Sequence, residues 1–196
     1  MKNNPYLLRR ALPALSLVIW VWGGAIATAD PGTHSRQLQD VGKSKDQLLA
    51  AIRDEQARGS EPEKVVSAIR ELGNQKAKEA IPDLIRLLTF EDMKYKEPDE
   101  ITEGFTVIGP SLIYPAAGAL INIGPPSLSA LVKVIEGNKT GSVESDNATY
   151  TVMIIFREDT EQGVNYLREA SRYAGSQRAR LRLTRATQKA EKMFNK

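Results

Sequence analysis

A pattern of two short amphipathic segments separated by a turn signal constrains the fold of this chain more than any other feature. In residues 65–88, apolar side chains recur at the spacing of one helix face on both sides of a Gly-Asn pair. The first stripe is Val65, Val66, Ile69 and Leu72, and the second is Ile81, Leu84, Ile85 and Leu88. Because helices of about 12 residues are marginal alone in water, each stripe needs a neighbouring helix to cover it. The pattern predicts helical hairpins that pack on one another.

The pattern recurs twice more along the chain. In residues 114–135 the first stripe is Ala116, Ala117, Leu120 and Ile123, and the second is Leu128, Leu131, Val132 and Ile135. Gly124 falls between them as Gly73 does in the first copy, and we expect each glycine to end a helix in the left-handed conformation. A weaker copy, residues 147–173, keeps Val152, Met153 and Phe156, then Val164, Leu167 and Tyr173. Thr160 replaces its glycine, as drift in a terminal repeat allows.

The stripe of small residues, the glycine stop and the following Leu/Ile helix resemble the HEAT-repeat family, especially its short repeats of the phycobilisome-lyase type. The resemblance implies an all-α protein, a short right-handed α-solenoid of about three HEAT-like helical hairpins with N- and C-terminal capping helices. It divides the chain into a capping helix (43–60), repeats at 61–90, 111–137 and 143–174, an acidic insertion (91–110) and a basic C-terminal helix (176–196). We expect Ser44 to begin the capping helix and Gly59 to end it.

The first 29 residues have the three parts of a secretory signal peptide. They contain three basic residues and no acid, an apolar run over residues 12–26, and Ala27-Thr28-Ala29 as a cleavage site. We therefore expect cleavage near Ala29, export to a periplasmic or extracellular location, and a flexible leader over residues 30–42. An uncleaved membrane anchor is the alternative, which the Pro and Gly residues within the run disfavour.

The charge of the chain is unevenly distributed. Residues 1–29 carry all of the net +3, residues 30–171 hold 16 basic and 23 acidic residues, and from Arg172 onward there are eight basic residues and one acid. On the C-terminal helix a basic stripe is predicted, comprising Arg178, Arg182, Arg185, Lys189 and Lys192. The stripe is either a solvated capping face or a docking surface for an acidic protein, anionic lipid or acidic polysaccharide. Nucleic acid is disfavoured, because residues 30–196 contain no Trp for base stacking.

The insertion is too long for a simple repeat connection. Gly73 and Gly124 are 51 residues apart, whereas such repeats span about 30 to 47. Its six acids lack the spacing of a calcium loop, so a solvated acidic loop is favoured over a metal site. We predict that Met93, Tyr95 and Phe105 give it a partner-binding surface.

Catalytic residues are not evident in the sequence. There is no Cys, the single His34 lies in the leader, and no Gly-rich phosphate loop occurs. Some HEAT-like proteins are bilin lyases, metal-dependent hydroxylases or DNA glycosylases, but the His-Glu pairs of the hydroxylases and the Trp expected of a glycosylase are missing from residues 30–196. A lyase conflicts with export. We predict a non-enzyme without cofactor, metal or small-molecule substrate.

The remaining function is binding of another protein, as a scaffold or accessory subunit. In HEAT-type arrays the second helices line the concave face, and their outward positions here are Asp83, Arg86, Lys133, Tyr166 and Glu169. The mixed charges favour a protein partner. The alternative is an envelope-surface protein that binds anionic lipid or polysaccharide through the basic stripe.

Overall fold

The computed structural model describes residues 43–95 and 109–194, all within one compact unit, Gly42–Lys196. These residues form ten α-helices and three short 3-10 turns, and none is in a strand. The helices are α1 Lys45–Arg53, α2 Glu55–Ser60, α3 Pro62–Asn74, α4 Ile81–Arg86, α5 Pro110–Ile113, α6 Pro115–Ile123, α7 Leu128–Gly137, α8 Val143–Ile155, α9 Thr160–Tyr173 and α10 Gln177–Phe194. The all-α prediction is confirmed. The predicted signal peptide and leader, and most of the insertion, lie outside the described residues.

The N-terminal segment forms two helices where the sequence predicted one. Ser44 caps α1 as expected, but the chain becomes extended at Asp54 (φ −71°, ψ 107°), whose carboxylate accepts hydrogen bonds from the backbone N–H groups of Gln56 and Ala57. Asp54 thereby caps a second helix. Gly59 lies inside that helix and does not end it. The break lets α1 bury its apolar side against α3, while α2 buries no residue.

The turn after α3 corrects the expectation for Gly73. The helix continues through Gly73, and Lys76 three residues later adopts the left-handed conformation (φ 51°). The backbone N–H of Ala77 donates to the carbonyl of Leu72, and the N–H of Lys76 donates to that of Gly73, which is the Schellman pattern. Gly73 is instead buried against α6. An added Cβ atom at this position would lie 2.7 Å from the Cα of Ala119. Gly73 permits close approach of α3 to α6 and does not serve as the cap.

The turn after α6 agrees with the expectation that Gly124 ends the helix, but its dihedral angles (φ 78°, ψ −142°) are not those of the left-handed helical conformation. Gly124 ends α6 with φ 78°, and a 3-10 turn, Pro125–Ser127, leads directly into α7. The hydroxyl of Ser127 lies 2.7 Å from the carbonyl oxygen of Gly124 and donates to it. The two glycines are therefore not equivalent, although each lies beside a turn. The short helix α5, which the sequence did not predict, precedes α6.

The helices pack in an order that departs from the predicted array at its C-terminal end. α3 packs between α1 and α6, α6 contacts α8, and α4 contacts α6 and α7. α7 then packs against α8 and α10, whereas the main neighbours of α9 are α8 and α10. The final helix thus occupies the place beside α7 that the repeat pattern assigned to α9. Tyr173, expected in the second stripe of the third repeat, is 84% exposed.

The core extends through all of these layers and includes polar groups on α8. Its largest fully buried side chains are Leu48, Ile52, Ile69, Leu72, Leu84, Leu88, Leu120, Leu131, Ile135, Met153, Leu167 and Leu183. Asn147 on α8 is also buried, and its side-chain amide donates to the carbonyl of Leu88 at 2.9 Å. The hydrogen bond gives the carbonyl of Leu88 a partner at the end of the first hairpin and connects this hairpin to the third.

Candidate functional site

A groove of about 760 Å³ crosses the ends of three successive helix pairs. Its lining comes from the turn after α3, the turn after α6 and the turn between α8 and α9. We call it the turn groove, and it comprises Gly73, Asn74, Lys76, Ile121, Asn122, Gly124, Pro125, Ile154, Ile155, Phe156, Arg157, Glu158, Asp159 and Gln162.

Local turn chemistry places each part of this groove. Lys76 and Gly124 both line the groove, and both have a positive φ. Lys76 lies in the turn after α3, and Gly124 lies in the turn after α6. At the third turn, the carboxylate of Asp159 accepts a hydrogen bond from the backbone N–H of Gln162 and so begins α9. Three differently built turns therefore contribute to one continuous surface.

Half-buried apolar side chains form the floor of the turn groove. They are Ile121, Ile154, Ile155 and Phe156. Phe156 also packs against Tyr166, with ring centroids 5.6 Å apart. Burial raises the pKa of the Tyr166 phenol above its ordinary value. The floor offers apolar area with a fixed aromatic edge.

The rim of the turn groove is polar and balanced in charge. Asn74, Asn122, Lys76, Arg157 and Glu158 are exposed, and their side chains make no hydrogen bond or ion pair within the described ranges. With Asp159, the rim has two cations and two anions. Amide side chains both donate and accept hydrogen bonds, so this rim can pair with peptide groups.

The predicted concave-face residues do not form one open row. The prediction that Asp83 faces outward is wrong, because the residue is only 6% exposed. Its carboxylate accepts hydrogen bonds from Arg53 of α1 and from Arg86 of α4. Asp83 lies in the six-residue helix α4, and the side chain of Arg53 from α1 covers its carboxylate, which explains the burial of Asp83.

The other predicted positions on the second helices differ in their surroundings. Tyr166 is half-buried against Phe156, and Glu169 pairs with Arg172 on its own helix. Lys133 is exposed and makes no ion pair within the described ranges. Because α10 lies beside α7, the positions on α9 do not continue the row that begins on α4 and α7.

The described start of the insertion, residues 91–95, is attached to α3 and α5 by Asp92. The buried Asp92 accepts a hydrogen bond from Arg70 at 2.7 Å, and its backbone N–H donates to the carbonyl of Ile113. Tyr95 lies near two cations, with the guanidinium of Arg70 6.0 Å from its ring centroid. Met93 is 60% exposed. Phe105 lies outside the described residues.

The predicted basic stripe separates into engaged and open residues. Arg182 donates to the backbone carbonyl of Glu136 at 2.6 Å, and Lys189 pairs with Asp146 at the same distance. These two side chains attach α10 to α7 and α8. Arg178, Arg185 and Lys192 are exposed and make no ion pair with any residue of the described ranges.

Two further observations concern the residues that the structure describes. Within them, no group of three or more His, Cys, Asp or Glu side chains is arranged to hold a metal ion. Over the same ranges no single helix has the length and apolar character needed to cross a membrane. The pair Pro115–Ile123 and Pro125–Gly137 meets those criteria jointly but is bent by 115°.

The sequence did not predict the turn groove. A Gly-Asn pair was visible at residues 73 and 74, yet it was interpreted only as a helix stop. What brings Asn74, Asn122 and Arg157 to one surface is the packing of α3, α6 and α8. Comparison with protein-family models, curated proteins and solved structures finds no match for the chain.

Proposed function

We propose that this protein is an exported, non-catalytic scaffold of HEAT-like type that binds an extended segment of a partner protein in the turn groove. The observation that carries the proposal is a continuous groove built from three successive turns, with an apolar floor and an amide-bearing rim. Concave sites of this kind, with few convergent polar groups, are the usual location of ligands.

The chemistry of the groove favours a polypeptide over other ligands. An extended segment presents side chains at alternate positions and backbone groups without partners. The floor formed by Ile121, Ile154 and Phe156 accommodates the side chains, and Asn74 and Asn122 can pair with the backbone. The balanced charge of the rim gives no preference for a polyanion.

The HEAT-like part of the proposal is supported by the packing order. α3, α6 and α8 contact one another in sequence, and so do α4, α7 and α10. A helical repeat array would have such an order, because each pair there covers the apolar side of the one before. In the proposal, α9 is an additional helix that connects the two layers at the C-terminal end.

Export follows from the predicted signal peptide, residues 1–29, in this proposal. Cleavage near Ala29 releases residues 30–196 into a periplasmic or extracellular compartment, where the partner resides. The chain has no Cys, so the fold there depends on helix packing without disulfides.

Affinity capture with matched variants tests the proposal. Asn74→Arg with Asn122→Arg places two long side chains across the groove from exposed positions. Gln56→Arg with Ser129→Arg introduces the same chemistry at exposed positions outside it. We expect the protein retained by the natural sequence and by the second pair to be lost with the first pair. Retention by all three would contradict the assignment of the groove.

A further inference from the structure

The outer face of α10 carries a row of basic residues interrupted by one apolar residue. Arg178, Leu181, Arg185, Gln188 and Lys192 recur at intervals of three and four, and all five are exposed. We call them the outer stripe, which is about 21 Å long at 1.5 Å per residue. The opposite side of the helix is buried through Ala179, Leu183, Ala186, Thr187 and Ala190.

The charge of the outer stripe is uncompensated within the described residues. α10 contains six basic residues and one acid, Glu191. The carboxylate of Glu191 already accepts a hydrogen bond from Arg168 at 2.9 Å. Arg182 and Lys189 are engaged by α7 and α8, but no described residue forms an ion pair with Arg178, Arg185 or Lys192. The outer stripe therefore favours an anionic partner.

Leu181 distinguishes between the anionic partners. It is 50% exposed in the middle of the basic residues and lines a depression of about 470 Å³ together with Arg178, Arg180 and Thr184. A hydrated polysaccharide gains nothing from an exposed leucine. The boundary between head groups and acyl chains of a bilayer accepts the leucine, while the long arginine side chains reach the phosphates.

We propose that α10 docks through the outer stripe onto the surface of an anionic lipid bilayer, with its axis parallel to the membrane plane. The outer stripe shares no residue with the turn groove. Membrane docking and partner binding are therefore separable functions, and either can fail without the other.

Vesicle sedimentation tests the proposal with the full chain. Binding is compared on phosphatidylcholine vesicles and on mixed phosphatidylcholine and phosphatidylglycerol vesicles. The variants are Arg178→Gln with Arg185→Gln, Leu181→Ser alone, and the control Lys133→Gln with Lys139→Gln, which removes two exposed cations from another surface. Residues 1–29 are common to every variant, so differences among variants report on the mutated surfaces.

We expect the arginine pair to weaken binding to mixed vesicles about twenty-fivefold, since each cation near an anionic surface contributes about fivefold. The control pair should change it less than about threefold, and Leu181→Ser should weaken it severalfold. Equal effects of the arginine and control pairs, or a loss from the arginine pair that is as large on phosphatidylcholine vesicles as on mixed vesicles, would overturn the proposal. So would dextran sulfate binding as tight as vesicle binding with Leu181→Ser altering neither, because that outcome indicates a polysaccharide site.

Discussion

Gly73 in α3 and Ala119 in α6 approach so closely that a Cβ atom on residue 73 would lie 2.7 Å from the Cα of Ala119 and 2.9 Å from its Cβ. Contacts this short to backbone cannot be relieved by a side-chain rotation. The spacing of the two hairpins therefore depends on the absence of a side chain at residue 73, and Gly73 also lines the turn groove.

Gly73→Ala is expected to lower the free energy of unfolding by about 2 kcal/mol, because separating two packed helices outweighs the gain in helix propensity. Gly59→Ala is the matched control. Gly59 also lies in a helix, but nothing is within 4 Å of its added Cβ, so a gain of up to about 1 kcal/mol is expected. Urea denaturation followed by circular dichroism measures both. A stabilising effect of Gly73→Ala would contradict the packing.

Lys76→Gly should raise the free energy of unfolding by about 1 kcal/mol, because Lys76 holds a left-handed conformation (φ 51°) that glycine adopts without strain. Lys78→Gly, in the next 3-10 turn at ordinary dihedral angles, should lower it by about 0.5 kcal/mol. Thermal melts of the two variants give opposite shifts. If Lys78→Gly were the stabilising change, the turn geometry would be wrong.

Asn147→Ala should destabilise the fold by about 1 to 3 kcal/mol, because it leaves the buried carbonyl of Leu88 without its donor. Asn165→Ala, at an exposed position of α9, is the control and should cost less than about 0.5 kcal/mol. Chemical denaturation separates the two cases. Similar small effects at both positions would exclude a role for Asn147 in tying α8 to the first hairpin.

Glu79 should titrate below the usual range of glutamates. The hydrogen bond from Lys45 is the main cause that lowers the pKa of Glu79 below its ordinary value of 4.5, with help from its backbone N–H. Because the pKa is lower in the folded state, the interaction is fully present above the unfolded pKa and is lost as pH falls through the folded pKa. Lys45→Met should raise the pKa of Glu79, as followed by NMR of the carboxyl carbon. An unchanged titration of Glu79 would contradict the contact between Lys45 of α1 and Glu79 in the turn before α4.

The sequence predicted the helices better than their relations. Periodicity identified both layers of the first two hairpins and the basic final helix, because apolar spacing depends only on local geometry. The role of Gly73 was misread because a helix-ending glycine and a glycine at a close helix contact look alike in sequence. The burial of Asp83 depends on Arg53, 30 residues earlier, and the position of α10 beside α7 depends on long-range packing. The turn groove also depends on long-range packing, because it is lined by three turns that are distant in sequence.

Site-specific photo-crosslinking detects a bound polypeptide in the turn groove directly. A photoreactive amino acid is placed at Asn122 in the turn groove, at Lys133 on α7 outside the groove, or at Gln56 on α2, all of which are exposed. After irradiation in the native compartment, we expect one discrete adduct from position 122, mapped by mass spectrometry to a contiguous segment of one partner. We expect no such adduct from positions 56 and 133. Adducts confined to position 133, or equal at all three positions, would contradict binding in the turn groove.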